Sequence, residues 1–182
     1  VSNGKVFIIS LTPPTIAALR SKDGSAIWQQ QPQALPPTSL VIQDEVLYAV
    51  RSIQGPIIAL QASDGTPLRD YQGKDVDGAA PSISLMTDHE RVYISSLFVN
   101  NGFFGSSLEV RKATDGTVVW NYPYQKVASI FKLVDDIVYV GASAGFYQGD
   151  RQSGSVCALQ ASIGTKLWCH QANTGVAPIT IG

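Results

Sequence analysis

The strongest constraint on this chain is that it writes one phrase four times. ALQASDGTPLR at residues 59–69 returns as ALQASIGTKLW at 158–168, with looser copies at 18–28 (ALRSKDGSAIW) and 110–120 (VRKATDGTVVW). Their glycines, Gly24, Gly65, Gly116 and Gly164, are spaced by 41, 51 and 48 residues. Such irregularity excludes a strict solenoid and suits a unit of short strands joined by loops of variable length.

Two further series recur in step with the first. β-branched and aromatic runs opened by polar turn residues precede each phrase: NGKVFIIS (3–10), QDEVLYAV (43–50), DHERVYISS (88–96) and DDIVYVGA (135–142). Runs of this kind read as strands. Their valines, Val6, Val46, Val92 and Val138, lie 40, 46 and 46 residues apart. A third series comprises SLVI (39–42), SISLM (82–86), ASIFKLV (128–134) and PITI (178–181). Each unit then reads as strand A, an acidic turn, strand B, a loop, strand C, a glycine turn and strand D. The expected fold is all-β: a β-propeller of four-stranded antiparallel blades, four of them in this chain.

The repeated glycine has a local reason. A three-residue hairpin loop built on a type I turn needs its last residue in the left-handed region, where a side chain clashes. On that register Ala161 faces Thr165 and Trp168 faces Ala158. Trp28, Trp120 and Trp168 are then expected as apolar wedges between neighbouring blades, with Arg69 making the second junction more polar.

The sequence VYVGASAG followed by ALQASIGTKLW resembles the PQQ-like β-propeller repeat of quinoprotein alcohol dehydrogenases and bacterial outer-membrane assembly lipoproteins. The resemblance covers nearly the whole chain. It implies a propeller scaffold, and in the dehydrogenases of the family also adjacent cysteines over the quinone, a calcium site and a catalytic Asp. No Cys-Cys dipeptide occurs here. A WD-type repeat is less suited, because neither a Gly-His nor a Trp-Asp dipeptide is present.

A single domain over 1–182 is expected, with blades at about 1–34 plus 176–182, 35–75, 76–124 and 125–175. The reading begins at a strand B and ends at a strand A, so the last strand could complete the first blade. Alternatively the chain is half of a larger ring completed as a homodimer, or an excerpt of a longer secreted or surface protein, which is the reading the sequence favours.

The register that sets Ala161 opposite Thr165 also sets Cys157 opposite Cys169. That placement suggests a cross-strand disulfide if the pair is of the non-hydrogen-bonded kind, and with it an extracytoplasmic setting: secreted, periplasmic or cell-surface. The net charge of −1 argues against nucleic acid or an anionic membrane as main partner. No apolar run is long enough for membrane insertion.

Phosphate loops, HExxH and CxxC are all missing from the sequence. Asp135 with Asp136, and Asp88 with Glu90, resemble paired acids but occupy turns where Asp serves backbone geometry. His89 falls in such a turn and is expected to be solvated; His170 lies near the end of a strand D. No catalytic residue, cofactor or metal ligand is assigned.

One face of the blades should carry the longer connections: LTPPT (11–15), QQQPQALPPT (29–38), SLFVNNGFFGSS (96–107), NYPYQK (121–126) and SAGFYQGDRQSG (143–154). Phe98, Phe103, Phe104, Phe146 and Tyr147 cluster there, with Asp150 and Arg151 beside them. The expected function is a non-catalytic interaction module binding a protein or carbohydrate partner through this face. The alternative is a fragment of a PQQ-dependent quinoprotein dehydrogenase.

Overall fold

In the first, second and fourth sheets strand B is preceded by two residues that both have positive φ: Asn3 and Gly4 (47° and 73°), Asp44 and Glu45 (50° and 60°), Asp135 and Asp136 (48° and 60°). That is the type I′ geometry, whose twist matches the flanking strands and which favours Asn, Asp and Gly. The computed structural model describes residues 3–31, 37–51, 57–71, 83–100, 103–124, 127–143, 146–147, 150–151 and 154–172. The expected closing strand at 178–181 lies outside them.

The described residues form antiparallel sheets in the anticipated order. The first holds β1 (Lys5–Leu11), β2 (Pro14–Arg20) and β3 (Ala26–Gln30). The second holds β4 (Pro37–Gln43), β5 (Val46–Arg51), β6 (Ile57–Gln61) and β7 (Pro67–Tyr71). In the third, β8 (Ile83–Thr87), β9 (Arg91–Asn100), β10 (Phe103–Lys112) and β11 (Val118–Tyr124) pair in sequence. The fourth sets β12 (Val127–Val134), β13 (Ile137–Ser143), β16 (Ser155–Gln160) and β17 (Lys166–Gln171) side by side. Between β13 and β16, β14 (Phe146–Tyr147) and β15 (Asp150–Arg151) form a small sheet of their own.

Strand pairing corrects one phase. Lys5, Arg91 and Ile137 each oppose the residue four before a turn glycine, and in the second sheet that place belongs to Val46. Leu47, not Val46, is therefore the counterpart of Val6, Val92 and Val138. The aromatics Phe7, Tyr48, Tyr93 and Tyr139 fall in one register position, opposite Ala18, Ala59, Val110 and Ala158.

The glycine turns are one residue longer than expected. Gln160 N–H donates to the Thr165 carbonyl at 2.9 Å and Gly164 N–H to the Gln160 carbonyl at 2.8 Å, so four residues, 161–164, make the loop and Ala161 does not face Thr165. The same pair of bonds closes the turns at Gly24, Gly65 and Gly116. All four glycines have φ between 71° and 79°, the left-handed region that a Cβ disfavours. A register shift follows in every copy. Leu159 opposes Lys166 but Ala158 opposes Trp168, leaving Leu167 as the extra residue of a β-bulge; Ile27, Leu68 and Val119 are its counterparts.

The core is made by strands B and C, as in β6, where four consecutive residues are buried. Two units can be separated by compactness, one of residues 1–75 with 87–90, the other of 76–86 with 91–182. In the first, Ile16, Leu47, Ala49, Ile58 and Leu60 pack together, with Phe7, Trp28, Leu40 and Ile42 around them. In the second, Tyr93, Leu108, Val110, Trp120, Val138, Val140, Leu159 and Ala161 form the core. Burying one such large aliphatic side chain contributes about 1.5–3 kcal/mol.

Candidate functional site

Within each unit, consecutive sheets meet through an indole. The Trp28 Nε1–H donates to the Ala62 carbonyl at 3.0 Å, and the Trp120 Nε1–H to the Ala161 carbonyl at 2.8 Å. Each ring lies on the glycine of the following sheet's turn. A Cβ on Gly65 would stand 2.8 Å from Trp28, and one on Gly164 only 2.5 Å from Trp120. Glycine is therefore required there twice over, by its backbone angle and by contact. An aromatic residue of strand B supports each indole: Phe7 lies 6.2 Å from Trp28 and Tyr93 6.5 Å from Trp120, centroid to centroid. Gln30 adds a bond from its side-chain amide to the Gly65 carbonyl.

Charged residues reinforce the same junctions, a role the sequence reading did not assign. Lys5 at the start of β1 bonds to Glu45 in the second sheet's acidic turn (3.2 Å), and Arg91 at the start of β9 bonds to Asp136 in the fourth sheet's turn (2.8 Å). The Arg91 guanidinium, helped by the Gln160 amide, holds the Asp136 carboxyl below its ordinary range against a weaker opposing effect of burial. Asn3 and then Lys5 do the same for Glu45. The turn acids are backbone formers, as read from the sequence, and also partners across the junction. The signal was available as Lys-Val and Arg-Val at the start of one strand B, with an acidic pair one repeat later. His89 is exposed, as expected of a turn residue, yet it bonds to Asp44 at 2.7 Å. A part-buried pair was also missed: Arg111 Nε–H donates to Glu109 at 2.6 Å, while its Nη1 reaches the Gly116 carbonyl at 3.3 Å. Among the described residues, no group of three or more His, Cys, Asp or Glu could hold a metal ion.

Cys157 and Cys169 are bridged and oppose each other directly in the β16–β17 register. Their Cα atoms are 4.1 Å apart, the close spacing of a non-hydrogen-bonded pair, which settles the pair type that the sequence left open.

The expected long-loop face is largely strand. SLFVNNGFFGSS is a hairpin whose two strands run ten residues each, with Phe98 opposite Gly105, Phe104 opposite Val99 and Phe103 opposite Asn100. The Asn-Gly pair at 101–102, between two β-prone runs, is the signal that could have found it. In SAGFYQGDRQSG, Phe146 pairs with Arg151 and Tyr147 with Asp150 in the two-stranded sheet. No described strand pairing joins the two hairpins. The side chains of Phe98, Phe103, Phe104, Phe146 and Tyr147 lie outside the described residues. LTPPT is not a long loop, since Leu11 pairs with Pro14 across only Thr12 and Pro13. NYPYQK is strand as far as Tyr124.

No protein-family model and no curated protein matches the chain. Among solved structures, the computationally designed Ika8 protein matches all of it with a TM-score of 0.73 at 15% identity. A europium-containing methanol dehydrogenase matches 94% of it (TM-score 0.69, 15% identity), and BamB from Moraxella catarrhalis 93% (TM-score 0.57, 14% identity). The chain spans 51%, 40% and 62% of those three proteins, respectively. At such identities the likeness is one of fold, and with the four sheets described above it shows an all-β chain of antiparallel blades with the β-propeller fold.

Proposed function

We propose that this chain is a non-catalytic propeller module that binds a protein or carbohydrate partner through the end of the blades carrying the β9–β10 hairpin and residues 143–154. The observation that carries the reading is the length of that hairpin. β9 and β10 have ten residues each, where β5 and β6 have six and five, and β13 and β16 seven and six. The added length holds Phe98, Phe103 and Phe104, apolar residues that a sheet of ordinary length would not carry. An extracytoplasmic setting fits the cross-strand disulfide, because such bonds persist in oxidising compartments.

The test compares the wild-type chain with the double variant Phe103→Ser/Phe104→Ser, each immobilised and exposed to a glycan array and to extracellular extract. Loss of every retained species, with an unchanged circular dichroism spectrum, is expected; undiminished retention contradicts the reading. Adding PQQ with calcium probes the dehydrogenase alternative. The module reading expects no thermal shift and no dye reduction, and either response would overturn it.

A further inference from the structure

The two wedge-and-turn junctions described above define what a third should look like, and each half of a third is present without a counterpart among the described residues. Trp168 occupies the place of Trp28 and Trp120, opposite Ala158 and just beyond the bulge. Tyr139 supports it at 6.0 Å, as Phe7 and Tyr93 support the other two. Trp120 is 9% exposed under its turn, whereas Trp168 is 48% exposed and all of β17 is exposed with it.

The complementary half lies in the first sheet. Its turn is closed like the others: Ser21 N–H bonds to the Gly4 carbonyl at 2.8 Å, matching Ala62 to Glu45 and Ala161 to Asp136. Gly24 holds the same left-handed angle, 71°, yet among the described residues nothing lies within 4 Å of where its Cβ would be. The cradle is built and no described side chain rests on it.

The charges agree. Where a cation opens strand B, as at Lys5 and Arg91, the next sheet's turn supplies Glu45 or Asp136. In the fourth sheet the cation position is Ile137, and in the first sheet the acid position is Gly4. These two faces can meet without stranding a charge at that position, which would be strongly unfavourable.

We propose that a second copy of this chain docks head to tail, the Trp168 indole of one copy lying on the Ser21–Gly24 turn of the next. In that junction the indole N–H donates to the Ser21 carbonyl, as Trp28 does to Ala62. His170, two residues after the wedge like Gln30, is placed to reach the Gly24 carbonyl. The contact joins complementary halves from the fourth and first sheets, and made reciprocally between two copies it closes the pair and leaves neither half free. It is independent of the hairpin reading above, since none of its residues belongs to β9, β10, β14 or β15.

Light scattering on the size-separated chain provides the test, with circular dichroism as the control for folding. The wild-type mass is expected at twice the 19.5 kDa of one chain. Trp168→Ala should reduce it to that of one chain. So should Gly24→Asn, which tolerates the left-handed angle but fills the cradle. Mixing the two variants should restore dimers, because an intact Trp168 from one then meets an intact Gly24 from the other. A wild-type chain that stays monomeric, an oligomer that survives both substitutions, or a mixture that remains monomeric would each overturn the proposal.

Discussion

β11 and β17 are the same strand twice, equal in register, bulge and aromatic support, and they end in opposite states. Trp120 is buried and bonded; Trp168 is half-exposed. Nothing in their own sheets accounts for the difference, since Tyr93 and Tyr139 stand at nearly the same distance from the two rings. What differs is the covering turn: Ala161–Gly164 lies over Trp120, and no described residue takes that place over Trp168. A blade of this kind prepares an apolar edge that only its successor can cover.

The exposed edge has a compensation. At the register position where β10 and β11 oppose Glu109 and Asn121, β16 and β17 oppose Cys157 and Cys169 and bridge them. The third hairpin is held by burial under the fourth sheet, and the last is held by a covalent bond.

Substitution at the turn glycines should sharpen the contrast most. Gly164→Ala meets both the left-handed angle and the indole 2.5 Å away, and is expected to lose more than about 3 kcal/mol of unfolding free energy. Gly24→Ala meets only the angle and should lose about 1–2 kcal/mol. Urea unfolding of the two variants, each as a monomer, checks this; equal losses would break the comparison.

Replacing both cysteines with serine should lower stability by about 2–3 kcal/mol, the range for closing a loop of this length. Hydrogen exchange should show the loss first in β17, with β11 protected. Uniform acceleration across both strands would mean that the bridge does more than hold the uncovered edge.

The Asp136 carboxyl supplies a smaller, pH-dependent effect. Its folded pKa is held below the unfolded one by Arg91, so its contribution is complete above about pH 4, the unfolded range, and fades as pH falls through the folded value. Because Asp136 is well exposed, solvent screening keeps the effect small. Thermal melts of Asp136→Asn against the wild type should differ at pH 7 and converge in acid. A gap that widens on acidification would contradict the sign.

Strand identity was legible because four copies superimpose β-prone runs on turn residues, and one copy corrects the ambiguity of another. The cysteine pairing was legible through two offsets that cancel. The turn is one residue longer than the three-residue loop assumed, and the bulge at Leu167 returns the register before Cys169 is reached. Asp-Gly turns hid this, because glycine at positive φ serves several loop lengths equally well. The extended β9–β10 hairpin resembles a loop in the sequence because glycine and asparagine interrupt its pattern. The Lys5–Glu45 and Arg91–Asp136 pairs were not foreseen because they join residues one repeat apart, where the local reading of an acidic turn already suffices.

The most direct test of the central claim, that the turn of the following sheet stabilises the indole it covers, is the unfolding free energy of Trp120→Ala beside that of Trp168→Ala. Both should be measured at a dilution where each chain is monomeric. A loss of about 3–5 kcal/mol at Trp120 is expected, as for a large aromatic removed from a packed site, against less than about 1 kcal/mol at Trp168. Equal losses at the two positions would contradict the account.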